Sequence, residues 1–456
     1  MNSPPTKERG DPREEAAPHE SQRNPATIGS RFQAERTVAL LPRQTDTSIA
    51  RGDDFSRPPL SQLPEGHMRM LLPPAFNPHA PAWGIGERRA RIAFVGDHIS
   101  TRRYDDNRDY VTLHSPTIKQ IISPEAWKHA RGILMPFMEI DHSYHVGGRS
   151  KGYRWIESLR NHECTDHIFR CPVFKRQIAT FIRKRLGTLG PIEERVALDL
   201  LLLGCRITDI ANFLHVLPDK PGIKNEARRR DVFRASIHQI HDKSYGGISR
   251  DSNRRLHHAL TRTPRMVRDH LTLVGEKAVE VDLANSQPYF MAGIFGHVIG
   301  LSVSVGHGNF YADINKHLER PYDISESNQK NELKRQILMR IYAKRQHGYA
   351  WFEKPGSRPA SITTAMDAAF PGLPKCIDDY RSRNGDTALA NAMQKMESSV
   401  FIDAALPALQ NMGIPAIPIH DSILCRQSHA DQVEHFLREH LVRTTGLRPW
   451  LRTDGK

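Results

Sequence analysis

The chain has 456 residues, 65 Lys plus Arg against 51 Asp plus Glu, a formal net charge of +14 and a pI near 9.6. That length allows two or three domains or one multi-lobed fold with a substantial core, and the charge makes polyanions, nucleic acid first, the expected partners. Five scattered cysteines argue against a disulfide framework and for a reducing cytosol. The chain opens without an apolar h-region and its most apolar run, Val196 to Leu203, is far short of a bilayer span, so a soluble cytoplasmic protein without a membrane partner is expected.

Residues 1–64 are rich in Pro, Arg, Glu, Ser and Gln and poor in aromatics, which predicts a disordered tail. Residues 65–190 are expected to form a mixed α/β accessory region. Within it, Arg91–Val95 and Tyr110–Leu113 read as strands, and Gly147-Gly148 marks a turn. The basic, glycine-rich stretch His145–Arg154 is either a plain hairpin or a segment that tracks a phosphate backbone. His162, Cys164, His167 and Cys171 are soft ligands crowded into ten residues, but their spacing matches no common structural zinc site, and no metal is assigned to them.

Residues 191–275 read as a helical, Arg-rich, thumb-like or template-binding region. Arg195–Leu203 and Ile207–Val216, separated by Gly204, have the pattern of a helix-turn-helix or of an ordinary core hairpin. Ten arginines fall between Lys224 and Arg268 with few acids beside them, favouring contact with a template or primer backbone. Arg254 and Arg255 are the named candidates.

Residues 276–456 hold three pieces of a possible site. Val279–Asp282 is an alternating strand that ends in an acid before a polar turn, and Pro288 opens a helix. Ile414–Arg426 reads as a hairpin of two apolar runs with His420-Asp421-Ser422 at its tip. Between them, a helix over 328–346 repeats Lys330, Lys334, Leu338 and Tyr342 every fourth residue on one face. Two cations, an apolar residue and an aromatic on one stripe suit a nucleoside triphosphate.

In this order and spacing the three pieces resemble the core of family A DNA polymerases and the phage-type single-subunit RNA polymerases, over roughly residues 254–452. Asp282 resembles the motif A aspartate. Lys334-Arg335 with Tyr342 resembles the motif B helix, where Lys330 replaces a frequent arginine. His420-Asp421 resembles motif C, with Ser422 as in the phage enzymes. Asn391–Ser398 resembles the polar helix start facing the primer–template junction, which nominates Gln394. Two positions depart from the pattern: Ala343 stands where Gly is usual, and Gln287 where the DNA enzymes have Glu and the phage RNA enzymes Gly.

The resemblance implies an α+β fold: a right-hand palm of antiparallel sheet, helical fingers and a helix-rich N-terminal half. It implies Asp282 and Asp421 as ligands of two Mg²⁺ ions about 4 Å apart, with Mn²⁺ as a substitute. Lys334 is then catalytic. Lys330, Lys334, Leu338, Tyr342 and Gln287 bind the nucleotide, and Arg254, Arg255, Gln394 and His420 touch nucleic acid. There is no room for a complete 3′–5′ exonuclease domain. A compact polymerase of this kind fits replication of a mobile element. Two alternatives come from other classes: a replication initiator or regulator using a helix-turn-helix near 195–216, and a metal-dependent nuclease. The sugar of the substrate, the template and the oligomeric state are left open by the sequence.

Overall fold

Apolar runs punctuated by turns make the strands, and stretches of helical spacing fill the intervals between them. A computed structural model describes residues 67–74, 76, 83–101, 110–112, 115–141, 152–186, 189–218, 226–243, 247–342 and 358–454. The tail expected at 1–64, the Gly147-Gly148 turn and Ala343 lie outside these residues. The first five strands are β1 (His67–Leu72), β2 (Val111–Thr112), β3 (Met138–Asp141), β4 (Gly152–Trp155) and β5 (Thr165–Arg170). They are followed by β6 (Leu203–Cys205), β7 (Ser249–Arg250), β8 (Leu256–His257), β9 (Leu271–Leu273) and β10 (Glu276–Leu283), and then by β11 (Ile417–Ile419), β12 (Ser422–Arg426) and β13 (Leu451–Thr453).

Helices and antiparallel sheets together make a mixed α and β fold. The largest sheet has the order β11-β12-β10-β9-β6, and β13 also pairs with β10. In β10 the period of two is plain: Val279, Val281 and Leu283 are buried on one face, while Glu280 and Asp282 stand half-buried on the other. One hydrophobic core runs from Val196 to Leu441 around this sheet. A second, from Met70 to Phe174, packs the helix Gly86–Thr101 on β1.

Two local expectations are corrected. Arg91–Val95 belongs to the helix Gly86–Thr101, because Ile92, Val95 and Ile99 recur at helical spacing and are all buried. The stretch 195–216 is not two helices joined by a turn. After the helix Pro191–Leu201 the chain enters β6, and only the six-residue helix Ile210–His215 follows. Gly204 serves the sheet: a Cβ there would lie 2.5 Å from Thr272 Oγ1, so glycine lets β6 close on β9.

His162, Cys164, His167 and Cys171 straddle the extended β5. The Cys171 thiol donates to Phe169 O at 3.5 Å, and the His167 ring meets Thr165 Oγ1 at 2.9 Å. Among the described residues no group of three or more His, Cys, Asp or Glu side chains is gathered for a metal, and no helix is long and apolar enough to cross a membrane.

Candidate active site

Register fixes the first acid. Asp282 stands opposite Ser422 on β12 and, on its other side, opposite Arg452 on β13. The second acid sits in the two-residue turn between β11 and β12, whose last pair is Ile419 with Ser422. His420 takes φ 56° in that turn, and Asn285, just after β10, takes φ 57°. Both are in the left-handed region that non-glycine residues rarely enter, at a cost on the order of 1 kcal/mol each. The turns are tied together: Leu283 N donates to Asp421 O at 3.1 Å, and Ser286 Oγ donates to Asp421 Oδ2 at 2.5 Å.

Asp282 and Asp421 line one cavity of about 150 Å³, along with Glu280, Asp454, His420, Ser422, Arg265 and Arg268. Arg268 pairs with Glu280 at 2.6 Å and Arg265 with Asp454 at 2.7 Å. Ser422 donates to Glu280 Oε2 at 3.2 Å. Burial, and then the charges of Asp421, Glu280 and Asp454, push the Asp282 carboxyl up to about 7. Glu280 and Asp454 already have arginine partners, which leaves Asp282 and Asp421 as the oxygen donors that a hard divalent cation would take.

The helix Ser327–Tyr342 carries the four-residue stripe. Lys334 places Nζ 5.3 Å from the centre of the Tyr311 ring. Tyr311 in turn is fixed by the helix Phe310–Lys316, which stacks Phe310 on Phe370 with ring centroids 5.4 Å apart. Burial lowers the proton affinity of Lys334, as do Lys330 and Arg452, while Asp282 and Asp421 raise it. Lys334 therefore lies within electrostatic reach of both acids.

A second cavity, of about 340 Å³, adjoins the first at Asp421 and is lined by Arg255, Ser286, Gln287, Tyr342, Gln394 and Glu397. A chain of hydrogen bonds runs along its wall. The Tyr342 hydroxyl donates to Gln287 Oε1, Gln287 Nε2 donates to Glu397 Oε2 at 2.7 Å, and Arg255 Nη2 lies 2.8 Å from Glu397 Oε1. Burial, against the pull of Arg255, raises the Glu397 carboxyl to about 7. Asn253 Nδ2 donates to Gln394 Oε1 at 2.7 Å.

Of the residues singled out from sequence, Asp282, Asp421 and His420 meet at the first cavity, and Gln287, Tyr342, Arg255 and Gln394 join Asp421 at the second. Lys330 is exposed, and Leu338 packs against the main core outside both linings. Arg254 is exposed and pairs with Asp403 at 3.4 Å. Glu397, Glu280, Ser286 and Arg452 were missed. Glu397 lies within the polar run 391–398 and had a local signal; Arg452 reaches the site only through strand pairing, which no local pattern reveals.

Acids do accompany the arginine-rich stretch. Its compensating acids come from distant segments: Arg230 and Arg234 pair with Glu163, Arg250 with Glu193 and Asp403, Arg255 with Glu397, and Arg268 with Glu280. These pairs tie the stretch to other segments of the fold.

No protein-family model matches the chain, and no curated protein matches it. Among solved structures it is similar to the POL domain of Pol1 from M. smegmatis in complex with DNA primer-template and dNTP, with a TM-score of 0.33 and 12% identity. That match covers 61% of this chain and 65% of the other, less than two thirds of its length.

Proposed function

We propose that the chain is a template-dependent nucleotidyltransferase of the DNA-polymerase type, with the sheet around β10 as its palm and the helix Ser327–Tyr342 in its fingers. One observation carries this: Asp282, near the end of β10, and Asp421, in the turn between β11 and β12, line one cavity, and the charge of Lys334 is coupled to both. An acid pair alone would equally suit a nuclease. A half-buried cation coupled to the pair suits a reaction in which a polyphosphate both binds and leaves. The partners are then a primer–template and nucleoside triphosphates. Residues 65–190 are an accessory region, and 191–275 guide the template beside the core at 276–456.

Asp282 and Asp421 are the residues that would hold Mg²⁺. When bound, Mg²⁺ would activate the primer 3′-hydroxyl and neutralise charge on the triphosphate. The new bond joins the 3′-oxygen to the α-phosphorus, and the bond to the bridging oxygen breaks to release pyrophosphate. Lys334, its proton loosened by burial, is placed to protonate that leaving group. Tyr342, Gln287 and Glu397 form the wall against which the sugar and base are positioned. Arg255, Gln394 and His420 border the same space and would meet nucleic acid, with Arg254 further out.

The test is extension of a labelled primer–template by the full chain with Mg²⁺ and each nucleotide pool in turn. Extension by wild type and its loss in Asp282→Ala and Asp421→Ala are expected. Absence of extension by wild type, or undiminished extension by Asp282→Ala, overturns the assignment.

A further inference from the structure

The last strand contributes a cation that neither the sequence motifs nor the acid pair requires. Arg452 stands opposite Asp282 in the β10–β13 ladder, so both side chains project from the same face with Cβ atoms roughly 5 Å apart. The neighbouring pairs, Val281 with Thr453 and Leu283 with Leu451, turn to the other face, where Val281 and Leu283 are buried. The strand is pinned at both ends: Ala284 N donates to Trp450 O at 2.9 Å, and Asp454 N donates to Glu280 O at 3.0 Å. Arg452 is thus held beside the acids by backbone.

Its pairing state sets it apart. Arg255, Arg265 and Arg268, the arginines that line the two cavities, are each spent on a carboxylate, while Arg452 lies outside both linings. Among the described residues no ion pair engages Arg452, Lys334 or Lys330. The Arg452 side chain is exposed to solvent, and its charge, like that of Lys330, lowers the proton affinity of Lys334. Set beside two acids that a divalent ion would neutralise, cations with no ion pair of their own are placed to attract an oligophosphate.

Resting on the nucleotidyl-transfer reading, we propose that Arg452 is the palm-side clamp of the triphosphate. It would grip the β- and γ-phosphates from the sheet while Lys334 and Lys330 approach from the helix, and it would keep hold of the pyrophosphate once the α-phosphorus bond has broken. A guanidinium suits this task because its fork of donors matches two phosphate oxygens at once. The bland alternative makes Arg452 a mere counter-charge to Asp282, with no part in phosphate binding.

The two are separated by titrating inorganic pyrophosphate with Mg²⁺ into the full chain bound to primer–template, using calorimetry, and by measuring extension kinetics in parallel. Arg452→Ala is expected to weaken pyrophosphate about tenfold, the loss of one charge-assisted contact. Arg452→Lys should fall between it and wild type, and nucleotide KM should rise in step while kcat changes less. Arg452→Gln, which keeps part of the aliphatic stem and a polar end without the charge, serves if the alanine variant folds poorly. Pyrophosphate affinity unchanged in the alanine or glutamine variant, with wild type still extending primers, overturns this clamp and leaves the polymerase assignment standing. Wild type that neither binds pyrophosphate nor extends primers overturns both.

Discussion

Asp282→Asn separates the cost of the acid pair from its use. In the folded chain the Asp282 carboxyl is pushed from 3.8 up to about 7. At 1.36 kcal/mol per unit, a shift of about three units means that the ionised group destabilises the metal-free fold by on the order of 4 kcal/mol. The sign follows from proton binding. Between pH 4 and 7 the folded chain holds more protons than the unfolded one, so this group's contribution falls as pH rises through that window and levels off above it. In EDTA at pH 8, urea unfolding should therefore show Asp282→Asn to be more stable than wild type, and the gap should close as pH falls towards 4. Mg²⁺ should stabilise wild type strongly and the variant little, while primer extension is lost in the variant. A variant no more stable than wild type in EDTA at pH 8, or one stabilised equally by Mg²⁺, would refute the reasoning.

Three further outcomes follow from the geometry. Glu397 is held near 7, so wild-type nucleotide KM should vary across pH 6–8, and Glu397→Gln should flatten that profile; an unchanged profile in the variant counts against a role for this carboxyl. Tyr342→Phe removes the hydroxyl that fixes the Gln287 amide, at roughly 1 kcal/mol. Discrimination between dNTPs and rNTPs should shift about tenfold in single-nucleotide incorporation, and an identical ratio would exclude Gln287 as a sugar contact. His258 is fully buried with Nε2 2.8 Å from Pro418 O, and its pKa is lowered from 6.5 to about 4. A depressed histidine pKa gives stability that is complete above pH 6.5 and lost as pH falls towards 4, here on the order of 3 kcal/mol. Denaturant titrations should show that loss in wild type and a shallower one in His258→Asn.

What the sequence disclosed was local. The alternation in β10, the hairpin around His420-Asp421 and the four-residue stripe of the helix Ser327–Tyr342 are each written in a short window, and each is where it was expected. The misread helix Gly86–Thr101 shows the limit of such windows. Four contiguous apolar residues look the same in either conformation until their burial is known. The contacts that complete the site are long-range: Arg452 meets Asp282 through a strand pair 170 positions apart in number, and Gln287 meets Glu397 across 110 residues. No periodicity carries such information, because it is created only when the sheet closes.

The charge of the chain makes the same point about function. A surplus of fourteen positive charges suggested a basic surface along 224–268, yet the fold pairs most of those arginines with acids brought from elsewhere. Ion pairs of that kind, partly buried, set the packing of one segment on another and are costly to break singly. Among the cations with no ion pair in the described residues, Arg452 stands directly opposite Asp282 in the sheet, and Lys334 feels the charge of both acids. Net charge reports how a molecule drifts towards a polyanion, whereas unpaired charge reports where one is gripped. The distinction turns a diffuse preference for nucleic acid into a specific expectation: raising salt should weaken primer–template binding broadly, while loss of Arg452 should act on pyrophosphate and nucleotide alone.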